Sequence, residues 1–311
     1  MFSKRKKANN VYAIYDQVIN EMTKSGRHGT AGNYTCSLNS LKLFKPKLEF
    51  KEVTPKFLND FEKWFLARGR SISTVGIYLR PLRAILNTAI EENYMSRDDY
   101  PFGKRRYQIP ASKNIKKALT LEEIGKIYNY KAIPETWWQK AQDMWLFSYF
   151  ANGINMKDIA LLKKDNIEGD YIRLIRAKTQ HTNRYSSKQI SIYLSDDLKK
   201  IIKRYSMKNS EYLFPILIEG LDDLTQHKLI AQFIKMVNEY IGKIATEVGI
   251  NKHITTYHAR HSFATVLKRS GASTEMISES LGHSSMSTTA SYLDSFEDET
   301  KKEIMKVLKN F

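Results

Sequence analysis

Tyr257-His258-Ala259-Arg260-His261-Ser262-Phe263-Ala264-Thr265, followed by Leu281-Gly282-His283 and then Tyr292, is the most informative part of this chain. Within 36 residues it gathers an arginine, several imidazoles and a well-separated tyrosine. Arg260 offers a planar fork of donors suited to phosphate oxygens. Imidazoles hold or pass protons near neutral pH. A tyrosine hydroxyl, with a pKa of about 10, is a poor nucleophile until neighbours activate it. Together these residues are the equipment for attacking a phosphodiester with a phenol.

The order also resembles the second catalytic box of the tyrosine recombinases, the phage-integrase family. That box runs His-x-x-Arg-His, then Leu-Gly-His, then the nucleophilic tyrosine. Here Tyr292 lies nine positions after His283. Upstream, Ser73-Thr74-Val75-Gly76-Ile77-Tyr78-Leu79-Arg80-Pro81-Leu82-Arg83-Ala84-Ile85 resembles the SAM-like helical core-binding domain of bacterial integrases, those of the Bacteroidetes type in particular. The resemblance covers both halves of the chain. It implies a mainly α fold with a small antiparallel β-sheet. Residues 1–112 would form the helical DNA-binding domain with a basic linker, and 113–311 the catalytic domain, the pair making a C-shaped clamp on duplex DNA.

Composition agrees with a nucleic-acid partner. The 311 residues carry 50 Lys+Arg against 33 Asp+Glu, a formal charge of +17. Such an excess favours polyanions through phosphate contacts and counterion release. Residues 1–112 hold 20 basic and 10 acidic side chains, and the longer remainder 30 and 23, so the N-terminal part is the denser cation. No stretch approaches the roughly 20 apolar residues of a membrane span. The basic start Met1-Phe2-Ser3-Lys4-Arg5-Lys6-Lys7 lacks the apolar run of a signal peptide. Lone Cys36 excludes an internal disulfide and a cysteine-built zinc site. A cytoplasmic protein is expected.

Local signals set the organisation. Thr54-Pro55 is an N-cap and first-turn pair, with Phe57, Phe61 and Phe65 following at four-residue spacing until Gly69. A second amphipathic helix starts near Ser71, with Ile72, Val75, Leu79, Leu82, Leu86 and Ile90 on one stripe and Arg80 and Arg83 off it. Pro81 is expected to kink it. The run 103–112, holding Lys104, Arg105 and Arg106, reads as a basic linker, and the resemblance gives these cations and Arg80 and Arg83 DNA to touch. Thr120-Leu121-Glu122-Glu123 is a capping box opening the second domain. A mostly buried helix is expected near 136–150. Residues 171–176 and 189–194 alternate like the strands of a hairpin around a polar loop, 179–188. A helix from Ser273 to Leu281 stops at Gly282, and another near Ser287 carries Tyr292. The tail, 297–310, reads as a charged helix with Ile304, Val307 and Leu308 on one side, a candidate for docking onto a neighbour or for packing at home.

The resemblance assigns roles residue by residue. Tyr292 is the nucleophile, Arg260 the clamp on the transition state, and His283 a contact to a non-bridging oxygen or the nucleophile. Lys178, after the first strand of the hairpin, is the general acid for the leaving 5′ oxygen. Two expected residues are missing. The family's first box usually reads Thr-Gly-Leu-Arg-x-Ser-Glu-Leu, whereas this chain has Ala151-Asn152-Gly153-Ile154-Asn155-Met156-Lys157-Asp158-Ile159. The first catalytic arginine therefore aligns with Asn155, or in a variant placement with Asn152, while Asp158 keeps the acidic position. Losing such a contact removes on the order of 10²–10³ in rate. Arg176, two residues before Lys178 and so expected on the same face of one strand, is the candidate replacement. Counting back three from Arg260 gives Tyr257 instead of histidine, with His258 beside it as second choice. His261 is expected to be structural.

Four other readings compete. A zinc site of His258, His261 and His283 lacks an acidic ligand and the His-Glu-x-x-His spacing. A helix-turn-helix over 273–293 would make the chain a regulator, with Tyr292 a core aromatic. A catalytically impaired DNA-binding relative would explain the two lost box residues. Lys178, Arg260, His283 and Tyr292 together favour the enzyme over these, and the helical N-terminus disfavours a type IB topoisomerase. The implied activity is metal-, cofactor- and ATP-independent strand exchange for integration, excision or inversion. It would act on double-stranded recombination sites, with four protomers on DNA and a monomer or weak dimer when free. Few residues precede the first helix, so an arm-binding domain is not expected, which leans towards a simple recombinase or invertase.

Overall fold

The computed structural model describes residues 10–111, 118–177, 189–283, 285–290 and 293. The chain divides into two compact units, Met1–Asn114 and Ile115–Phe311.

The first unit is helical: α1 (Val11–Lys24), α2 (His28–Phe44), α3 (Pro55–Ala67) and α4 (Ile72–Glu91). Asn10, Thr54 and Ser71 cap α1, α3 and α4, each side chain accepting a backbone N–H of the first turn. Phe57, Phe61 and Phe65 point inward as their spacing requires, and Phe61 and Phe65 join Phe44 and Trp64 in one aromatic cluster. The α3 pattern ends before Gly69, which takes a φ of 72°. On α4, Val75, Leu79, Leu82 and Leu86 are fully buried while Arg80 and Arg83 are exposed. Pro81 sits buried inside α4, which continues as one helix beyond it; the proline removes one ladder bond without ending the helix. The run read as a linker begins inside this unit. Tyr107 is buried and donates to Glu62, and Gly103 N–H bonds Tyr107 O at 3.1 Å, so 103–107 is a folded turn. Its cations Lys104, Arg105 and Arg106 remain exposed.

The second unit contains α5 (Leu121–Asn129), α6 (Trp137–Phe150), α7 (Met156–Leu161), β1 (Ile167–Glu168), β2 (Tyr171–Ile175) and β3 (Gln189–Tyr193). It continues with α8 (Asp196–Tyr205), α9 (Asp223–Glu247), α10 (Thr256–Arg269), α11 (Thr274–Ser280) and α12 (Met286–Ala290). Helix α6 is central, packing against α8, α9 and α10, and fully buries Met144, Trp145 and Phe147. The Thr120–Glu123 capping box opens α5. The antiparallel sheet has order β1-β2-β3, with Ile172 opposite Ile192 and Leu174 opposite Ile190 on its buried face. The short β1 has no alternation of its own to reveal it in the sequence. Both long strands stop one residue short of expectation: the ladder ends at Ile175 opposite Gln189, and Arg176 lies beyond it. Loop 179–188 and tail 297–310 lie outside the described residues. Among those described, no helix is long and apolar enough to cross a membrane.

Candidate active site

Thr255 caps α10 with an unusual partner. In a reciprocal box, Thr255 N–H donates to His258 Nδ1 at 3.1 Å, the imidazole standing where a carboxylate is usual. Trp145 Nε1 donates to Thr255 O at 3.2 Å, and Leu119 N–H donates to Ser262 Oγ at 2.9 Å, so the helix is tied down on two sides. That anchoring aims Arg260 inward, where it is 1% exposed.

Three acceptors hold the Arg260 guanidinium. Nη1 donates to Gly153 O at 2.7 Å, and Nη2 donates to Leu281 O at 2.6 Å and lies 2.9 Å from His283 Nε2. A guanidinium only donates, so Nε2 of His283 accepts and the ring proton belongs on Nδ1. Nδ1 faces Thr289 Oγ1 at 2.9 Å, which fits that tautomer. His283 is buried, and α12 thus packs onto the histidine through Thr289.

Two glycines make the approach possible. Gly153 has a φ of +63°, and a Cβ there would lie 2.9 Å from Arg260 Cα. Gly282 has a φ of +62°, and its Cβ would meet Ile190 Cδ1 at 2.5 Å and Arg176 Cδ at 3.0 Å. Only glycine meets both demands without strain.

Arg176 is 6% exposed. Its Nη1 donates to Leu281 O at 3.3 Å, the acceptor Arg260 also uses, and its Nε lies 3.9 Å from Asp158 Oδ2. Asp158 Oδ1 accepts the Ala177 N–H at 2.9 Å. The expectation that Arg176 itself sits on the strand is corrected: it lies one residue beyond the end of β2. The chain leaves the ladder after Ile175, and Ala177 bonds a side chain of α7 instead of β3. Lys178 itself, like Tyr292, lies outside the described residues.

At the two positions where the first-box arginine was sought, Asn155 is the N-cap of α7 and makes no side-chain cap bond. Asn152 takes a φ of 54°, and its Nδ2 donates to Ser191 O at 3.2 Å, tying this turn to β3. Tyr257 is 48% exposed, its ring 6.1 Å from that of His261. His258 instead turns back onto Thr255. Sequence reasoning missed the carbonyls of Gly153 and Leu281 and the hydroxyl of Thr289. The glycine inside each box, Gly153 and Gly282, was the one available signal.

Residues 10–109 match the model of the phage integrase SAM-like domain, and residues 117–299 that of the phage integrase family. The tyrosine recombinase XerD of Listeria monocytogenes is 26% identical over 303 residues, covering 88% of this chain and 94% of its own. XerA of Thermococcus kodakarensis is 29% identical over 181 residues, 58% of each chain. Among solved structures, a lambda integrase (75-356) dimer bound to a COC′ core site superposes with a TM-score of 0.66 at 16% identity, covering 92% of this chain and 98% of that one. XerH bound to palindromic difH gives 0.64 at 18% identity, covering 90% and 80%. The match over 117–299 takes in Arg176, Arg260, His283 and Tyr292 alike, and the chain therefore belongs to the phage integrase family, the tyrosine recombinases.

Proposed function

We propose that this chain is a site-specific recombinase that cuts and rejoins duplex DNA through a 3′-phosphotyrosyl link at Tyr292. The observation that carries the reading is the Arg260 guanidinium, buried and oriented by Gly153 O and Leu281 O with His283 against it. Burying a cation without purpose is costly, and this one is aimed by the same box that leads to Tyr292. Tyr292 Oη forms a bond to the scissile phosphorus as the bond to the 5′ oxygen breaks. The phenol loses its proton, and Lys178 supplies one to the departing 5′ oxygen. Arg260, held in orientation by His283, stabilises charge on the non-bridging oxygens, with Tyr257 adding a hydroxyl. The phosphotyrosine conserves the phosphodiester bond, so a 5′ hydroxyl from a partner duplex reverses the step without ATP.

Residues 113–311 carry this chemistry in the proposal, and residues 1–112 grip the duplex, with Arg80, Arg83, Lys104, Arg105 and Arg106 on phosphates. Exchange between two duplexes calls for four protomers; a lambda integrase tetramer bound to a Holliday junction is among the structures similar in fold. The test is covalent capture on nicked fragments of host DNA, denatured and sequenced, beside Tyr292→Phe. DNA attached at 3′ ends by the wild type alone supports the proposal. Sequence-specific binding with no covalent DNA replaces it with an impaired DNA-binding relative.

A further inference from the structure

We infer that Arg176 is a catalytic residue, the second guanidinium on the scissile phosphate, delivered from the end of β2 in place of the arginine that Asn155 displaces. The inference rests on the phosphotyrosyl reading of Tyr292. A phosphoryl-transfer transition state spreads its charge over the non-bridging oxygens, and one fork cannot serve all of them.

Four observations converge on Arg176. Its Nη1 and the Nη2 of Arg260 donate to one oxygen, that of Leu281, at 3.3 and 2.6 Å. A carbonyl has two lone pairs, and here it sets two guanidiniums side by side. Next, the first box itself holds Arg176: Asp158, three residues after Asn155, accepts the Ala177 N–H and lies 3.9 Å from Arg176 Nε. Asn155 in turn follows two residues after Gly153, whose carbonyl holds Arg260. The position that lost its arginine and the helix that anchors Arg176 are thus one segment. Third, Gly282 leaves room for the Arg176 side chain, a Cβ there lying 3.0 Å from Arg176 Cδ.

The fourth observation is burial. Arg173, on the same strand, makes a surface pair with Glu168 at 3.0 Å with its side chain 44% exposed. Arg176 is 6% exposed. An arginine that only touched outlying DNA backbone has no reason to be placed among Leu281, Asp158 and Gly282. The competing role is a strut that supports the Leu281 turn, and the experiment separates the two.

The probe is a nicked duplex carrying a site that the wild type captures covalently, with binding, covalent yield and melting read in parallel on the full chain. Arg176→Met is expected to slow covalent capture by about 100-fold or more while binding stays within a few-fold. Adding Asn155→Arg to that variant is expected to recover at least about tenfold, because it returns a fork to the same guanidinium neighbourhood. Should Arg176→Met fail to fold, Arg176→Lys decides: it keeps the charge but not the fork, and about a tenfold loss is expected. Capture by Arg176→Met, or by Arg176→Lys where that variant decides, within a few-fold of wild type overturns the inference. So does a loss that tracks melting and that Asn155→Arg leaves unrescued. A wild type that leaves no covalent DNA, as Tyr292→Phe must, instead removes the phosphotyrosyl reading beneath it.

Discussion

His283 Nδ1 and Thr289 Oγ1 stand 2.9 Å apart in the interior, so the histidine that touches Arg260 is also fastened to α12, the helix preceding Tyr292. A hydrogen bond of this kind contributes about 1 kcal/mol net. Thr289→Val keeps the shape and removes the hydroxyl. It is expected to slow covalent capture roughly fivefold at unchanged DNA binding, with Thr289→Ser restoring the rate. Equal rates for valine and threonine would show that the ring orientation is set elsewhere.

Gly153→Ala is expected to damage the site more than its size suggests. The new methyl meets Arg260 Cα at 2.9 Å from a backbone held at φ +63°. Strain of about 1–3 kcal/mol follows, seen as a lower melting temperature, and the displaced Arg260 should abolish capture. Gly125→Ala, with nothing within 4 Å of the added carbon, is the control and should melt as wild type or higher.

Arg80 and Arg83 lie on the exposed side of α4, away from its buried stripe. If each neutralises one phosphate, either alanine variant flattens the slope of log Kobs against log salt by about 0.9. Binding at low salt should weaken for specific and random duplexes alike. A slope identical to wild type would remove these residues from the interface.

Glu123 supplies a pH prediction. Partial burial alone would raise its pKa. The Lys252 ammonium and the Thr120 N–H, both bonded to it, more than offset burial and hold the carboxyl below its ordinary value. A depressed folded-state pKa stabilises above the unfolded value and is lost as pH falls through the folded one. Glu123→Gln should therefore melt below wild type at neutral pH. The gap should close as pH drops through and below about 4; a gap independent of pH would mean that the charge is irrelevant.

Much of this molecule was legible wherever one residue and its near neighbours decide the structure. Thr54-Pro55, Ser71 and Thr120 announced their helices because capping is local, and the hairpin announced itself because burial alternates with period two. The Arg260 box was readable because its spacing is chemical. What escaped was non-local. Nothing before the fold says that Ala177 will leave β3 for Asp158, which is why Arg176 was assigned to a strand that ends one residue earlier. Tyr107 was hidden in a run of cations and turned out to be core. Backbone acceptors such as Gly153 O and Leu281 O have no side-chain signature at all, and His258 as a cap departs from the carboxylate that capping boxes lead one to expect.

The carbonyl of Leu281 has one more consequence, for the life history of the chain. It receives one cation from 105 residues upstream and another from 21 residues upstream. Both arginines are synthesised before their common acceptor, and neither has its final address until residue 281 docks. The centre behaves like a lock that needs two keys and a late-arriving barrel. A nascent or partly unfolded chain, however strongly its positive charge draws it to DNA, has no assembled scissors to use there.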